Sequence, residues 1–119
     1  MKNEGTGGHL ELVLLGVLAA QRGHGYAIIS ALKERSGGVL DLPEGSVYPA
    51  LHRLEDRGWV ESEWTPSGGR RRREYRITPQ GATAFSASRR DWRRLAGAID
   101  AVLAAVPSRL PGGPVGAEA

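Results

Sequence analysis

The sequence predicts a mostly α fold with a small β-hairpin: a winged helix-turn-helix domain followed by a long C-terminal dimerisation helix. Three stretches predict it. Between Gly45 and Trp64, Val47, Leu51 and Leu54 recur at helical spacing; after Gly58, Val60, Ser62 and Trp64 alternate with Glu61, Glu63 and Thr65 as in a strand with one covered face. The turn residues Pro66 to Gly69 then lead into Arg70, Arg71, Arg72 and Arg73. Finally, Phe85, Trp92, Ile99 and Val106 recur every seven residues, with Leu95 and Val102 at the second heptad position, which is the pattern of a pairing seam.

At 119 residues the chain can build a modest core but no deep catalytic cleft. Its net charge is +3, and arginine outnumbers lysine 14 to 2. Because 13 acids offset 16 cations, location matters more than the sum, and the surplus sits at residues 70 to 76. Arginine there suits phosphates and base edges. There is no cysteine, so disulfide and thiolate chemistry are excluded. The longest apolar run, Leu12 to Ala20, is about half a membrane span, and the glycine-rich start lacks a basic signal-peptide region. A soluble protein of the cytoplasm is expected.

In chain order, residues 1–8 read as a disordered lead-in. His9 to Arg22 is so continuously apolar that the first helix should be covered on most sides. Gly23 to Gly25 reads as a turn, and Tyr26 to Arg35 as a second helix, closed by Gly37 and Gly38. Val39 to Leu42 is a candidate extra strand beside the hairpin. The third helix starts either at Pro43, where a missing N–H does no harm, or at Val47 behind a Ser46 cap, which would keep Pro49 in the first turn. Glu74 to Ile77 is the return strand, and Thr78-Pro79 pairs a capping hydroxyl with a first-turn proline. The last helix then spans 79–106, about 40 Å, until Pro107 ends it. The organisation expected is a winged domain over 9–78, a dimerisation helix over 79–106 and a disordered tail over 107–119.

The outward face of the third helix carries Ser46, Pro49, His52, Arg53 and Asp56. Taken alone it reads equally well as a solvated face, but the arginines that follow favour a polyanion, double-stranded DNA. Ser46 and Tyr48 are then expected at backbone phosphates, with a half-core role for Tyr48 as the alternative. Pro49, His52 and Arg53 lie nearest the base edges, where Arg53 can pair bidentately with guanine. Arg70 to Arg73 would supply sequence-independent affinity. The heptad stripe of Phe85, Trp92, Leu95, Ile99, Val102 and Val106 implies a homodimer; the alternative is packing on the first helix of the same chain. Two Trp92 indoles facing across a dimer axis could hold a small flat aromatic effector, or simply pack. Arg89, Arg90, Arg93 and Arg94 around it suit an anionic aromatic, or a solvated face. An enzyme is not expected: there is no phosphate loop or carboxylate pair, and His9, His24 and His52 are scattered, so no cofactor or metal is expected either. The alternative to an operator-binding protein is a winged module that docks protein or RNA.

Gly25-Tyr26, the run Gly45-Ser-Val-Tyr-Pro-Ala-Leu-His-Arg-Leu-Glu55, Gly58-Trp-Val-Glu-Ser-Glu-Trp64, the Gly-Arg-rich wing through Arg73, and Tyr75-Arg-Ile-Thr-Pro-Gln-Gly81 together resemble the PadR family of bacterial transcriptional regulators. The resemblance covers residues 9 to 106, in the small type with a single C-terminal helix. It implies a homodimer held by those helices that binds an inverted-repeat operator near a promoter and usually represses. In multidrug-responsive relatives a tryptophan at the position of Trp92 holds a flat aromatic ligand. Two departures stand out. Family members commonly carry a second aromatic where this chain has Glu74, which would weaken wing packing, and the arginine-only wing favours phosphate clamping or minor-groove insertion.

Overall fold

The computed structural model describes residues 7–109. The expected disordered tails fall largely outside them, although Gly7 and Gly8 already belong to the first helix. That helix, α1 (Gly7–Ala20), buries Leu10, Leu14, Leu15, Val17 and Leu18. α2 (Gly25–Arg35) adds Ile28 and Leu32, and α3 (Glu44–Asp56) adds Val47, Ala50, Leu51 and Leu54. One core results, closed by Val60 and Tyr75 from the sheet.

The sheet is the expected hairpin with a third strand, supplied by a different segment from the one the sequence suggested. It has three antiparallel strands in the order β1-β3-β2: β1 (Gly23–His24), β2 (Val60–Ser67) and β3 (Arg70–Ile77). Gly23 and His24, expected as a turn, pair with Tyr75 and Glu74. Val39 to Leu42 forms no strand, and its first two backbone donors are already used: Val39 N–H donates to the Ser36 carbonyl and Leu40 N–H to Ser36 Oγ at 2.8 Å. Val39 is left 81% exposed.

α3 begins at Glu44, so the earlier of the two possible starts is the one adopted, and Pro49 lies inside the helix. A proline there removes the donor for the Gly45 carbonyl. Pro49 and Gly45 are both exposed, so water can take the place of the missing N–H. The helix ends in a Schellman turn at Gly58 (φ 77°), with Trp59 N–H donating to the Leu54 carbonyl and Gly58 N–H to that of Glu55.

The hairpin is longer than the sequence suggested. Ser67 pairs with Arg70 across a two-residue turn, Gly68 and Gly69, both at positive φ (57° and 80°) as a primed turn requires. All four arginines are therefore strand residues and alternate between its faces.

Thr78 caps α4 (Pro79–Ala104) as expected: its Oγ1 accepts from Gly81 N–H at 3.0 Å and donates to the Gly58 carbonyl at 2.7 Å. α4 stops two residues short of the expected 106. Two compact units divide the chain, one through Ser88 and one from Arg89. The first extends past the expected boundary at 78 because Gly81 seats the start of α4 against Trp59 and Phe85 packs on the core.

Candidate nucleic-acid interface

On α3, burial of Val47, Ala50, Leu51 and Leu54 leaves Ser46, Pro49, His52 and Arg53 exposed on the opposite face, as the periodicity required. Tyr48 is half-buried. A Cβ on Gly25 would lie 2.3 Å from the Tyr48 hydroxyl, so the bare backbone opening α2 is what admits this ring.

Arg53 is not free in solution. Its Nε donates to Glu11 Oε2 at 3.0 Å, and Arg57 Nη1 bonds the other oxygen of the same carboxylate. Partial burial alone would raise the Glu11 pKa, but the hydrogen bonds and charges of Arg57 and Arg53 outweigh it and hold the carboxyl below the usual glutamate range. Arg57 also lies over the Trp59 ring, 5.1 Å from its centre. One acid on α1 thus fixes two arginines at the C-terminal end of α3. Neither Glu11 nor Arg57 was singled out from sequence, although Glu11 is the one charged residue between Leu10 and Ala20.

In the wing, the strand alternation sorts the arginines. Arg71 and Arg73 lie over the Trp64 ring, each 5.3 Å from its centre. Trp64, expected on the covered face, is 53% exposed to solvent, its cover being these guanidinium groups rather than the core. Arg73 is further held by Glu55 at 3.9 Å, and Glu55 in turn accepts from Ser62 Oγ at 2.5 Å. Arg70 and Arg72 are exposed, with no ion pair among the described residues. Glu74, where an aromatic was expected, points away from the core and pairs with Arg22 at 3.9 Å, while Arg76 bridges Glu61 and Glu63. Tyr75, not residue 74, fills the core, so Glu74 removes no core packing.

In the second unit Trp92, Leu95, Ile99, Val102 and Val106 are 41 to 70% exposed, with Val106 just beyond the helix end. Phe85 does not share that exposure. It is half-buried in the first unit, against Gly16 and the core.

Residues 14–87 match the profile of the Transcriptional regulator PadR-like family. The chain belongs to the PadR-like family. It is similar to a transcriptional regulator of Mycobacterium tuberculosis (Rv3488), 48% identical over 52 residues that make up 44% of this chain and 49% of that protein. A PadR family regulator from Clostridium difficile superposes with a TM-score of 0.71 at 27% identity, over 80% of this chain and 98% of that one. A Clostridium thermocellum transcriptional regulator gives 0.73 at 25% identity, over 80% and 93%. As a PadR-like protein the chain is a transcriptional regulator, which implies DNA binding, and it is not an enzyme. Among the described residues no helix is long and apolar enough to cross a membrane.

Proposed function

We propose that this PadR-like regulator works in the cytoplasm, at the nucleoid, as a homodimer that binds an inverted-repeat operator, represses transcription from it, and is released by a small flat aromatic ligand. The observation that carries the dimer is the apolar stripe of Leu95, Ile99, Val102 and Val106, 52, 46, 70 and 48% exposed in the single chain. Exposure of that extent along one helix marks an association surface. A two-fold dimer would present two copies of α3 about one helical turn of DNA apart and so require a dyad in the operator. In this reading Ser46, Pro49, His52 and Arg53 face the major groove, Tyr48 lies at its edge, and the wing, through Arg70 and Arg72 above all, holds phosphates. Trp92, on the same stripe, is the residue assigned to the aromatic ligand.

The test titrates the purified protein into labelled duplex from its own upstream region and into a scrambled duplex, at several salt concentrations. Tight, salt-sensitive preference for the native duplex, lost when one half of its dyad is scrambled, is the expected result. Equal weak binding to both duplexes would move the protein- or RNA-docking reading ahead. Repression is read from transcription of the bound promoter with and without protein, and the effector from quenching of Trp92 by a flat aromatic dye.

A further inference from the structure

Where the wing meets the start of α2 there is a half-open cavity of about 320 Å³ whose walls are Tyr48 from α3, Arg70, Arg72, Arg73 and Tyr75 from β3, and the His24–Tyr26 turn. We infer that this cavity is a seat for a small free oxyanion, a ligand bearing a phosphate or sulfate group, and that filling it competes with DNA for the wing arginines.

Its lining is one-sided in charge. Arg70, Arg72 and Arg73 contribute, and among the described residues no acid does. Glu55, the acid that acts on the Tyr75 hydroxyl, is not part of the lining and is already tied to Ser62 and Arg73. The floor carries a donor in need of a partner. Tyr75 is 2% exposed, and among the described residues none hydrogen-bonds its hydroxyl. The groups electrostatically closest to that hydroxyl are Glu55, Arg73 and Tyr48, two of which line the cavity. Burial, with Glu55 adding to it, pushes the phenol pKa up, so the group keeps its proton and can donate. A buried hydroxyl without a partner is an uncommon liability, and one that a bound oxyanion removes.

The start of α2 supplies further donors. His24, at the N-cap position, makes no capping bond, because its Nδ1 donates to the Arg73 carbonyl at 3.4 Å instead. The first-turn N–H groups at Gly25 and Tyr26 therefore have no side-chain acceptor, and Gly25 brings bare backbone to the cavity wall. Arginines, a phenol and a helix start that share one lining are the residue types of an oxyanion site.

The depth decides between a free anion and the DNA backbone. Arg70 and Arg72 are exposed, whereas Tyr75, in the same lining, is almost wholly buried. A backbone phosphate, flanked by its sugars, stays at the rim, and a small anion can reach the floor. Only the competition with DNA rests on the function proposed above; the seat itself does not.

The test uses the full chain, inorganic phosphate as probe and chloride at matched ionic strength as control. Amide ¹H–¹⁵N shifts should saturate at Gly25 and Tyr26 with phosphate and not with chloride. Tyr75→Phe, which keeps the ring in the core and deletes the hydroxyl, should weaken phosphate binding roughly tenfold. Its affinity for duplex should stay within about twofold of wild type, because the rim is intact. Arg72→Gln, at an exposed position, should weaken both ligands. Non-saturating shifts, or a Tyr75→Phe protein that binds phosphate like the wild type, would overturn the seat. If Tyr75→Phe lost duplex and phosphate affinity in parallel, the cavity would belong to the DNA backbone and the free-anion assignment would fall. A protein that bound phosphate as expected but no duplex would keep the seat and refute only the operator reading.

Discussion

Gly81→Ala sets two effects against each other. Helix propensity alone favours alanine inside a helix by about 1 kcal/mol. The structure opposes it: a Cβ on Gly81 would lie 2.0 Å from the Trp59 carbonyl oxygen and 2.8 Å from its carbon. Backbone cannot rotate aside as a side chain does, so α4 has to retreat by more than about 1 Å, and overpacking of this kind costs about 1–3 kcal/mol. The retreat also strains the Thr78 knot, in which Thr78 N–H donates to the same Trp59 carbonyl at 3.0 Å and Thr78 Oγ1 links Gly58 to Gly81. Two weakened bonds at about 1 kcal/mol each bring the net loss to about 2–4 kcal/mol. For a domain of this size that lowers the melting temperature by about 10–25 °C. The assay is far-UV circular dichroism on heating, at one protein concentration, since self-association would make the midpoint concentration-dependent. Gly97→Ala is the control: nothing lies within 4 Å of its Cβ position, so it should gain about 0.5–1 kcal/mol. A Gly81→Ala protein as stable as wild type would refute the close approach to Trp59.

Glu11→Gln, by freeing Arg53 and Arg57 and removing an anion beside α3, should raise affinity for scrambled duplex more than for the native one, as read by competition titration. Because the folded Glu11 pKa is lowered, its contribution to stability, about 0.5–1 kcal/mol for exposed partners, is complete above the glutamate range and is lost as pH falls through the lowered value. Urea midpoints of wild type and Glu11→Gln should therefore differ at neutral pH and converge as the pH falls below the lowered Glu11 value. The double variant Arg70→Gln/Arg72→Gln should flatten the salt dependence of DNA binding by about two units of slope. Arg73→Gln should instead lower the unfolding free energy, read from urea titration, by about 0.5–1 kcal/mol, through loss of the Glu55 and Trp64 contacts. Ile99→Asp, on the exposed stripe, should shift sedimentation to the monomer at concentrations where the wild type self-associates.

What was legible in the sequence was local. The inward face of α3 follows from Val47, Leu51 and Leu54, and the start of α4 from Thr78-Pro79, each within a turn or two of chain. What was not legible depends on distant partners. Gly23 and His24 have no strand signal of their own and become a strand because Tyr75 and Glu74 present an open edge. The start of α3 turned on whether the Gly45 carbonyl, orphaned by Pro49, meets water, which is a property of the folded surface. Phe85 fits the heptad as well as Ile99 does, yet it joins the winged core, because a glycine four residues earlier lets α4 lie against Trp59.

The arginine run shows most clearly why charge in a sequence is not charge at an interface. Read along the chain, Arg70 to Arg73 are equivalent cations, but the turn at Gly68-Gly69 fixes a register that gives Arg73 to Glu55 and Trp64 and leaves Arg70 and Arg72 exposed. The same sorting holds on α3, where Arg53 enters any DNA complex already paired with Glu11. On the proposed reading, Arg53 then gains from a base only the difference between that base and a carboxylate. A guanine edge offers two acceptors in the guanidinium plane and can win that exchange, whereas a thymine edge offers one and cannot. Glu11 would thus lower the absolute affinity of Arg53 and raise its selectivity, leaving affinity to the rim arginines that have no acid to give up.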